Sequence, residues 1–157
     1  MFGKISKDME VKASIREAWE VYCSPKVGMI IRAELGHLSS VAILEGDGSS
    51  VGTVVEIKPC PGVSTFLPYK ERFTMIDHEK KMREVEMIEG WYIDLGFTAF
   101  RIRLELIDKE EDACIARLTI EYEASEEVVN AYGSIVTMYP FMSATEIINR
   151  YIENNKT

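Results

Sequence analysis

Alternation with a period of two dominates residues 67–89, LPYKERFTMIDHEKKMREVEMIE, and predicts two antiparallel strands joined by a tight turn at Asp77, His78 and Glu79. Tyr69, Glu71, Phe73 and Met75 share one side of the first strand, and Lys70, Arg72 and Thr74 the other. On the second strand Arg83, Val85 and Met87 oppose Met82, Glu84 and Glu86. The apolar side is the inner one. It therefore carries an acid, Glu71, and a permanent cation, Arg83, among Phe, Met and Val, where a charge does not belong unless paired or used. With the turn centred on His78, Phe73 stands across from Arg83 and Val85 from Glu71. The two charges are then diagonal neighbours within reach of long side chains.

The same alternation recurs on both sides of this hairpin. Residues 4–11 place Ile5, Met9 and Val11 among Lys and Asp and predict a first strand. The period then changes to that of a helix: Ser14 with Glu17 forms a capping box, and Ile15, Ala18, Trp19 and Tyr22 follow as an apolar stripe. Pro25 opens a second short helix carrying Val27, Met29, Ile30 and Ile31 as far as Gly36. SVAIL and VVEIK are strands separated by the glycine-rich EGDGSSVGT, and the PCPG segment ends the second of them. GWYIDLG at 90–96 is a link. Beyond it Thr98, Phe100, Ile102, Leu104 and Leu106 alternate with Ala99, Arg101, Arg103 and Glu105, and after the charged turn DKEED the segment CIARLTIEY forms the last strand. Ser125 and the two glutamates after it open a helical region, within which Pro140 starts or kinks a principal helix. Met138, Phe141, Met142, Thr145, Ile148 and Ile152 fall on one face of that helix.

The predicted order is one strand, two short helices, about six antiparallel strands and a long amphipathic helix. A twisted antiparallel sheet with one apolar face has to be covered, and the last helix is the available cover. Where inner residues of sheet and helix fail to meet, they enclose a cavity. The chain has 157 residues, 46% of them hydrophobic, and the whole of 1–157 is expected to form a single domain.

Charge narrows the partners. A net charge of −8 and a pI near 4.9 argue against nucleic acid and against an anionic membrane, because no Lys/Arg stripe is present to neutralise phosphates. Cys23, Cys60 and Cys114 are widely spaced and show no CxxC or Cys/His pattern, so neither a disulfide framework nor a metal site is expected. Reduced thiols, with no apolar run of signal-peptide or membrane-spanning length, point to the cytoplasm. Small molecules are the expected partners, and no cofactor is expected.

EGDGSSVGT invites comparison with phosphate-binding loops, but it lacks the Walker lysine, no helix follows it and GxGxxG spacing is absent. It reads as a hairpin turn in which Gly46, Gly48 and Gly52 supply positive dihedrals. His78 on a charged turn and His37 in a Gly-His-Leu loop have no catalytic partners in the pattern. Glu71 and Arg83 read either as a structural ion pair or as functional groups, with Tyr69 one inward step away. Phe73, Val85, Met87, Phe100, Ile102, Met138, Phe141 and Met142 read either as ordinary core or as the lining of a plastic apolar pocket.

Taken in order, EGDGSSVGT, YKERF, IDHEKK, MIEGWYIDLGF and the terminal helix resemble the plant norcoclaurine synthases and the related norbelladine synthases, within the birch-pollen-allergen or pathogenesis-related class ten superfamily. The resemblance covers essentially the whole chain. It implies an α+β helix-grip fold: a seven-stranded antiparallel sheet around a long C-terminal helix, two short helices closing one end, and an apolar cavity. It also implies chemistry. Norcoclaurine synthases condense dopamine with 4-hydroxyphenylacetaldehyde to an iminium and close a ring by a Pictet-Spengler step, whereas norbelladine synthases join tyramine to a dihydroxybenzaldehyde without closure. The family's functional tyrosine and glutamate match Tyr69 and Glu71, its lysine falls on Arg83, and the aspartate of norcoclaurine synthases falls on Ile102.

Those two departures bear on the chemistry, since an arginine stays protonated and orients an oxygen without shuttling a proton. The expectation is a norcoclaurine synthase-like enzyme in alkaloid biosynthesis, with Glu71 as base and Arg83 and Tyr69 as polar anchors, acting on a small aromatic amine and an aldehyde. The alternative is a non-catalytic carrier of alkaloids, phenolics or hormones. A monomer or weak homodimer is expected in either case.

Overall fold

In the computed structural model, which describes residues 1–35, 39–59 and 67–156, strand β1 (Phe2–Val11) runs into two short helices, α1 (Ile15–Tyr22) and α2 (Lys26–Leu35). The Ser14 and Glu17 capping box is formed as its spacing predicts. Helix α2 buries Ile30 and half-buries Val27 and Ile31, positions one turn apart, and leaves Met29 on the outside at 70% exposure. Met29, one of the four apolar residues read into this helix, therefore takes no part in its packed face.

The remaining strands are β2 (Ser39–Glu45), β3 (Val54–Pro59), β4 (Tyr69–Asp77), β5 (Met82–Gly90), β6 (Ala99–Glu110) and β7 (Ala113–Glu123). They form one antiparallel sheet of seven in the order β1-β7-β6-β5-β4-β3-β2. Gly46, Gly48 and Gly52, at φ +83°, +86° and +95°, make the β2–β3 connection a hairpin turn, and Asp47 accepts hydrogen bonds from the Ser49 and Ser50 backbone within it. His37 and residues 60–62 of the PCPG segment lie outside the described residues.

Three further helices follow the pattern unevenly. The segment after β5, expected as a link, contains a single helical turn, α3 (Trp91–Asp94), which buries Trp91 and Tyr92. Gly90 permits it: its φ is +85°, and a Cβ there would collide with the Pro68 carbonyl oxygen. Ser125 caps α4 (Glu126–Tyr132) by accepting from the Val128 amide. Helix α5 (Tyr139–Asn155) carries Pro140 in its first turn instead of kinking there, and packs Phe141, Ile147, Ile148 and Ile152 against the sheet. The result is the α+β helix-grip arrangement. Among the described residues no helix is long and apolar enough to cross a membrane.

Register in the central hairpin differs from the expectation. Phe73 faces Val85, Glu71 faces Met87 and Arg83 faces Ile76. Two features cause this. The turn occupies His78–Lys81, with Lys81 at φ +55° and Asp77 accepting from the Lys80 amide, so it is longer than a turn centred on His78. Thr74 is also an extra residue in β4, a bulge that inverts the alternation beyond it. Ile76 therefore packs into the core in place of Met75. Glu71 and Arg83 still face inward but stand two rungs apart instead of being diagonal neighbours.

Candidate functional site

The inward charges of β4 and β5 meet α1 and α5 at the boundary between two packed regions. One region is aromatic and holds Tyr69, Trp91, Tyr92, Phe97, Phe100 and Phe141; the other is aliphatic and holds Leu104, Leu106, Ile147, Ile148 and Ile152 with Trp19 and Tyr22. Between them lies a cavity of about 140 Å³ bordered by Tyr69, Glu71, Arg83, Val85, Ile102 and Phe141, all named in the sequence reading. Phe73, Met87, Phe100 and Met138 are instead buried packing residues of the aromatic region, and Met142 packs against it. The inner wall also includes Tyr22, Val27, Ile31, Leu104, Leu118 and Ile148, which the sequence patterns placed on helices and strands without assigning them to the site.

Arg83 is held from two sides. Its Nη1 donates to the Tyr22 carbonyl oxygen at 2.5 Å, at the C-terminal end of α1, where helix carbonyls carry partial negative charge. Its guanidinium carbon lies 4.7 Å from the centre of the Phe73 ring, a cation–π contact. Tyr22 is itself fixed from α5: its hydroxyl donates to Asn149 Oδ1 at 2.5 Å, with the Thr145 carbonyl at 3.4 Å. The sequence gives no local sign of this anchor, because Tyr22 and Asn149 are 127 positions apart.

Glu71 has a different environment. Among the described residues its carboxyl accepts no hydrogen bond and stands outside ion-pair distance of every cation. Burial raises its pKa to about 7, with the Arg83 charge opposing the rise. Desolvation wins over attraction here, which is consistent with two charges that share a cavity without touching. Burial, reinforced by Glu71, also drives the Tyr69 hydroxyl well above the ordinary phenol range, so it remains a proton donor at neutral pH. Burial lowers the pKa of Arg83, and Glu71 opposes that shift; the guanidinium stays cationic. The three groups thus offer a carboxyl that exchanges its proton near neutrality, a fixed cation and a neutral hydroxyl.

A larger groove of about 550 Å³ runs between α2 and α5, beside Lys26, Met29, Ile30, Arg150, Tyr151 and Asn154. It contains neither Glu71 nor Arg83, and its titratable groups have no shared geometry. The smaller cavity is the candidate site on chemical grounds. Its volume is close to that of an apolar cavity of order 150 Å³ that holds one benzene ring, and below the ~300–1,000 Å³ usual for drug-sized ligands.

Comparison with known proteins agrees with this architecture. The pathogenesis-related protein Bet v 1 family matches residues 1–155. The chain is 36% identical over 151 residues to S-norcoclaurine synthase 2 of Papaver somniferum; the match covers 95% of this chain but only 64% of that longer protein. It is 35% identical over 159 residues to the norbelladine synthase of Narcissus pseudonarcissus, covering 100% of this chain and 96% of that one. In structure it resembles the X-ray structure of norcoclaurine synthase from Thalictrum flavum in complex with dopamine and hydroxybenzaldehyde, with a TM-score of 0.89, 28% identity, and coverage of 100% of this chain and 90% of that one.

Proposed function

The chain belongs to the pathogenesis-related protein Bet v 1 family, and from that membership and the chemistry of its cavity we propose that it condenses an arylethylamine with an aromatic aldehyde. The observation that carries the reading is Glu71, an inward carboxyl with a pKa of about 7 beside, but not paired with, the cation Arg83. Such a group both gives and takes a proton at neutral pH. In the proposed sequence the amine adds to the aldehyde carbon to give a carbinolamine. Glu71 in its protonated form delivers a proton to the departing hydroxyl, which leaves as water from the iminium. The carboxylate so formed then removes a proton from the substrate, at the arene where the ring closes or at the nitrogen where it does not.

Arg83 donates a hydrogen bond to the carbonyl oxygen as charge develops on it, and Tyr69 supplies a second donor. Held by Tyr22 and Phe73, the guanidinium orients and stabilises; it does not relay protons. The cavity admits one ring, so the second reactant sits towards Val27 and Ile31 of α2, where the wall is made of aliphatic side chains. Bringing the two reactants together there removes the entropy of a bimolecular encounter. The apolar Ile102 leaves Glu71 as the one carboxyl bordering this cavity among the described residues. The same two features, a fixed Arg83 and an apolar Ile102, favour a second reading in which the cavity binds an aromatic molecule without transforming it.

The test is incubation with dopamine and 4-hydroxyphenylacetaldehyde, with the product resolved by chiral chromatography against a protein-free control. The uncatalysed product is racemic, so enantiomeric excess reports catalysis. The expected outcome is an excess of one enantiomer in the wild type and its loss in Glu71→Ala, with a fall of roughly 10²–10⁴-fold in rate and an unchanged circular dichroism spectrum. A Glu71→Ala protein that retains wild-type rate overturns the assignment, and a racemate at background rate from the wild type removes ring closure and leaves condensation without closure or the binding reading.

A further inference from the structure

We infer that the cavity is built for a single aromatic ring bearing an ionised oxygen, a carboxylate or a phenolate, which pairs with Arg83 while Glu71 takes up a proton. The inference rests on the cavity being the functional site and adds the charge of the ligand that it selects.

Three observations carry it. Arg83 spends one N–H on the Tyr22 carbonyl, and among the described residues its other N–H groups have no partner. Likewise the Glu71 carboxyl accepts nothing among these residues. Among the described residues no sealed side-chain nitrogen or oxygen lacks a hydrogen bond, so these unpartnered atoms border open space, and the space they share is the cavity. A cation inside an apolar wall without a contacting anion is costly unless something supplies the partner. Arginine's planar fork suits a carboxylate or other oxyanion, and the remaining wall, Ile57, Val85, Ile102, Leu118 and Ile148, suits one flat ring.

Charge balance then requires a proton. An anion placed beside Arg83 also comes near Glu71, and two negative charges in one apolar cavity repel, so the bound ligand favours the protonated carboxyl. The groups that face the pair are few. Tyr69 and Glu71 come from β4, Arg83 from β5, and Tyr22 with Cys23 from the end of α1. The cavity-facing residues of α2, α5, β3 and β6 do not titrate. Below the free Glu71 pKa of about 7 the proton is already in place and affinity does not change with pH. Above it each bound anion must draw one proton from solution, and affinity falls by up to about tenfold per pH unit.

Calorimetric titration of the protein with benzoate, which is ionised throughout, with 4-hydroxybenzaldehyde and with neutral, isosteric benzamide tests this. Near pH 6 benzoate is expected to bind roughly 10- to 100-fold more tightly than benzamide, and near pH 8.5 that preference shrinks by about tenfold or more. Titration in two buffers of different ionisation enthalpy counts about one proton taken up per benzoate at the higher pH. Glu71→Gln keeps the preference at both pH values and takes up no proton, and Arg83→Gln brings benzoate down to the level of benzamide. A phenolate absorption band of bound 4-hydroxybenzaldehyde near pH 6 identifies the phenolate source, and tight benzoate without that band identifies the carboxylate source.

Benzamide binding as well as benzoate near pH 6, a benzoate preference that survives Arg83→Gln, or proton release in place of uptake overturns the inference. The proton count is made on the wild type, so a variant that fails to fold does not remove the test. Anion preference without enantioselective condensation leaves this inference standing and removes the ring-closing form of the proposed reaction. Enantioselective condensation without anion preference does the reverse.

Discussion

Strand β6 carries two kinds of interior within five residues. Phe100 points into a region that is filled, while Ile102 and Leu104, on the same face, border one that is not. At Phe100 the rings close on one another: its centroid is 4.3 Å from that of Tyr92 at an interplanar angle of 9°, and Tyr92 in turn stacks on Trp91 at 4.5 Å. The Tyr92 hydroxyl in this stack is satisfied twice, since it donates to the Ile135 carbonyl and accepts from the Thr137 amide. Two residues further along the strand, branched aliphatics do not fill the width between sheet and helix, and the polar groups beside them keep unused hydrogen-bonding capacity. The sealed end supplies packing energy, which lets the other end hold a half-buried acid and a half-buried cation that, among the described residues, do not pair with each other.

Truncation should separate the two ends. Phe100→Ala removes a fully buried ring and is expected to cost about 3–5 kcal/mol, read from urea unfolding. Ile102→Ala removes a side chain that already has empty space on one side. It is expected to cost about 2 kcal/mol or less and to enlarge the room for ligand. Equal losses at the two positions would show that the cavity closes up when empty and that the contrast between the ends is not real.

The next effect follows from Glu71. Its pKa in the folded protein is about 7, raised from 4.5, so the folded state holds a proton that the unfolded chain releases. Stability therefore falls as pH rises from about 4.5 to about 7 and stays at the lower level beyond. The full shift corresponds to about 3 kcal/mol; allowing for solvent reaching the cavity, about 1–3 kcal/mol is expected. Glu71→Gln should match the wild type near pH 4 and exceed it by that amount near pH 8. A wild type that gains stability relative to the variant over this window would mean that Glu71 is paired after all.

How much of this was legible in the sequence depends on how local each cause is. Alternation over Tyr69–Asp77 placed Tyr69, Glu71 and Phe73 inward, because the period is a property of the strand itself. The pairing between strands failed because a bulge at Thr74 leaves the composition of β4 unchanged, and a turn of His78–Lys81 reads no differently from a shorter one. Helix α3 is too short to show a period at all. The anchoring of Arg83 by Tyr22, and of Tyr22 by Asn149, joins elements from opposite ends of the chain and exists only once the sheet has closed around α5. Alternation supplied the inward acid's neighbours, the resemblance to a known family implied roles for them, and the structure supplied their register.

The smallest expected effect tests whether the cavity differs from the outer face of the same sheet. Arg103 on β6 points outward and bridges Glu84 on β5 at 3.1 Å and Glu121 on β7 at 3.0 Å, with about a quarter of its side chain exposed. It has the contacting carboxylates that Arg83 lacks, and the three groups lie on the outer face of the sheet with 15–25% of each side chain exposed. Arg103→Met is expected to cost about 0.5–1 kcal/mol at low ionic strength, and that loss should shrink measurably near 1 M salt, where the screening length falls to about 3 Å. The pH at which Glu71 titrates should barely move over the same salt series, because its charge is screened by protein and not by ions. A Glu71 midpoint that shifts with salt as strongly as the Arg103 penalty would mean that the cavity is open to electrolyte. Desolvation would then no longer account for a carboxyl that titrates near neutrality.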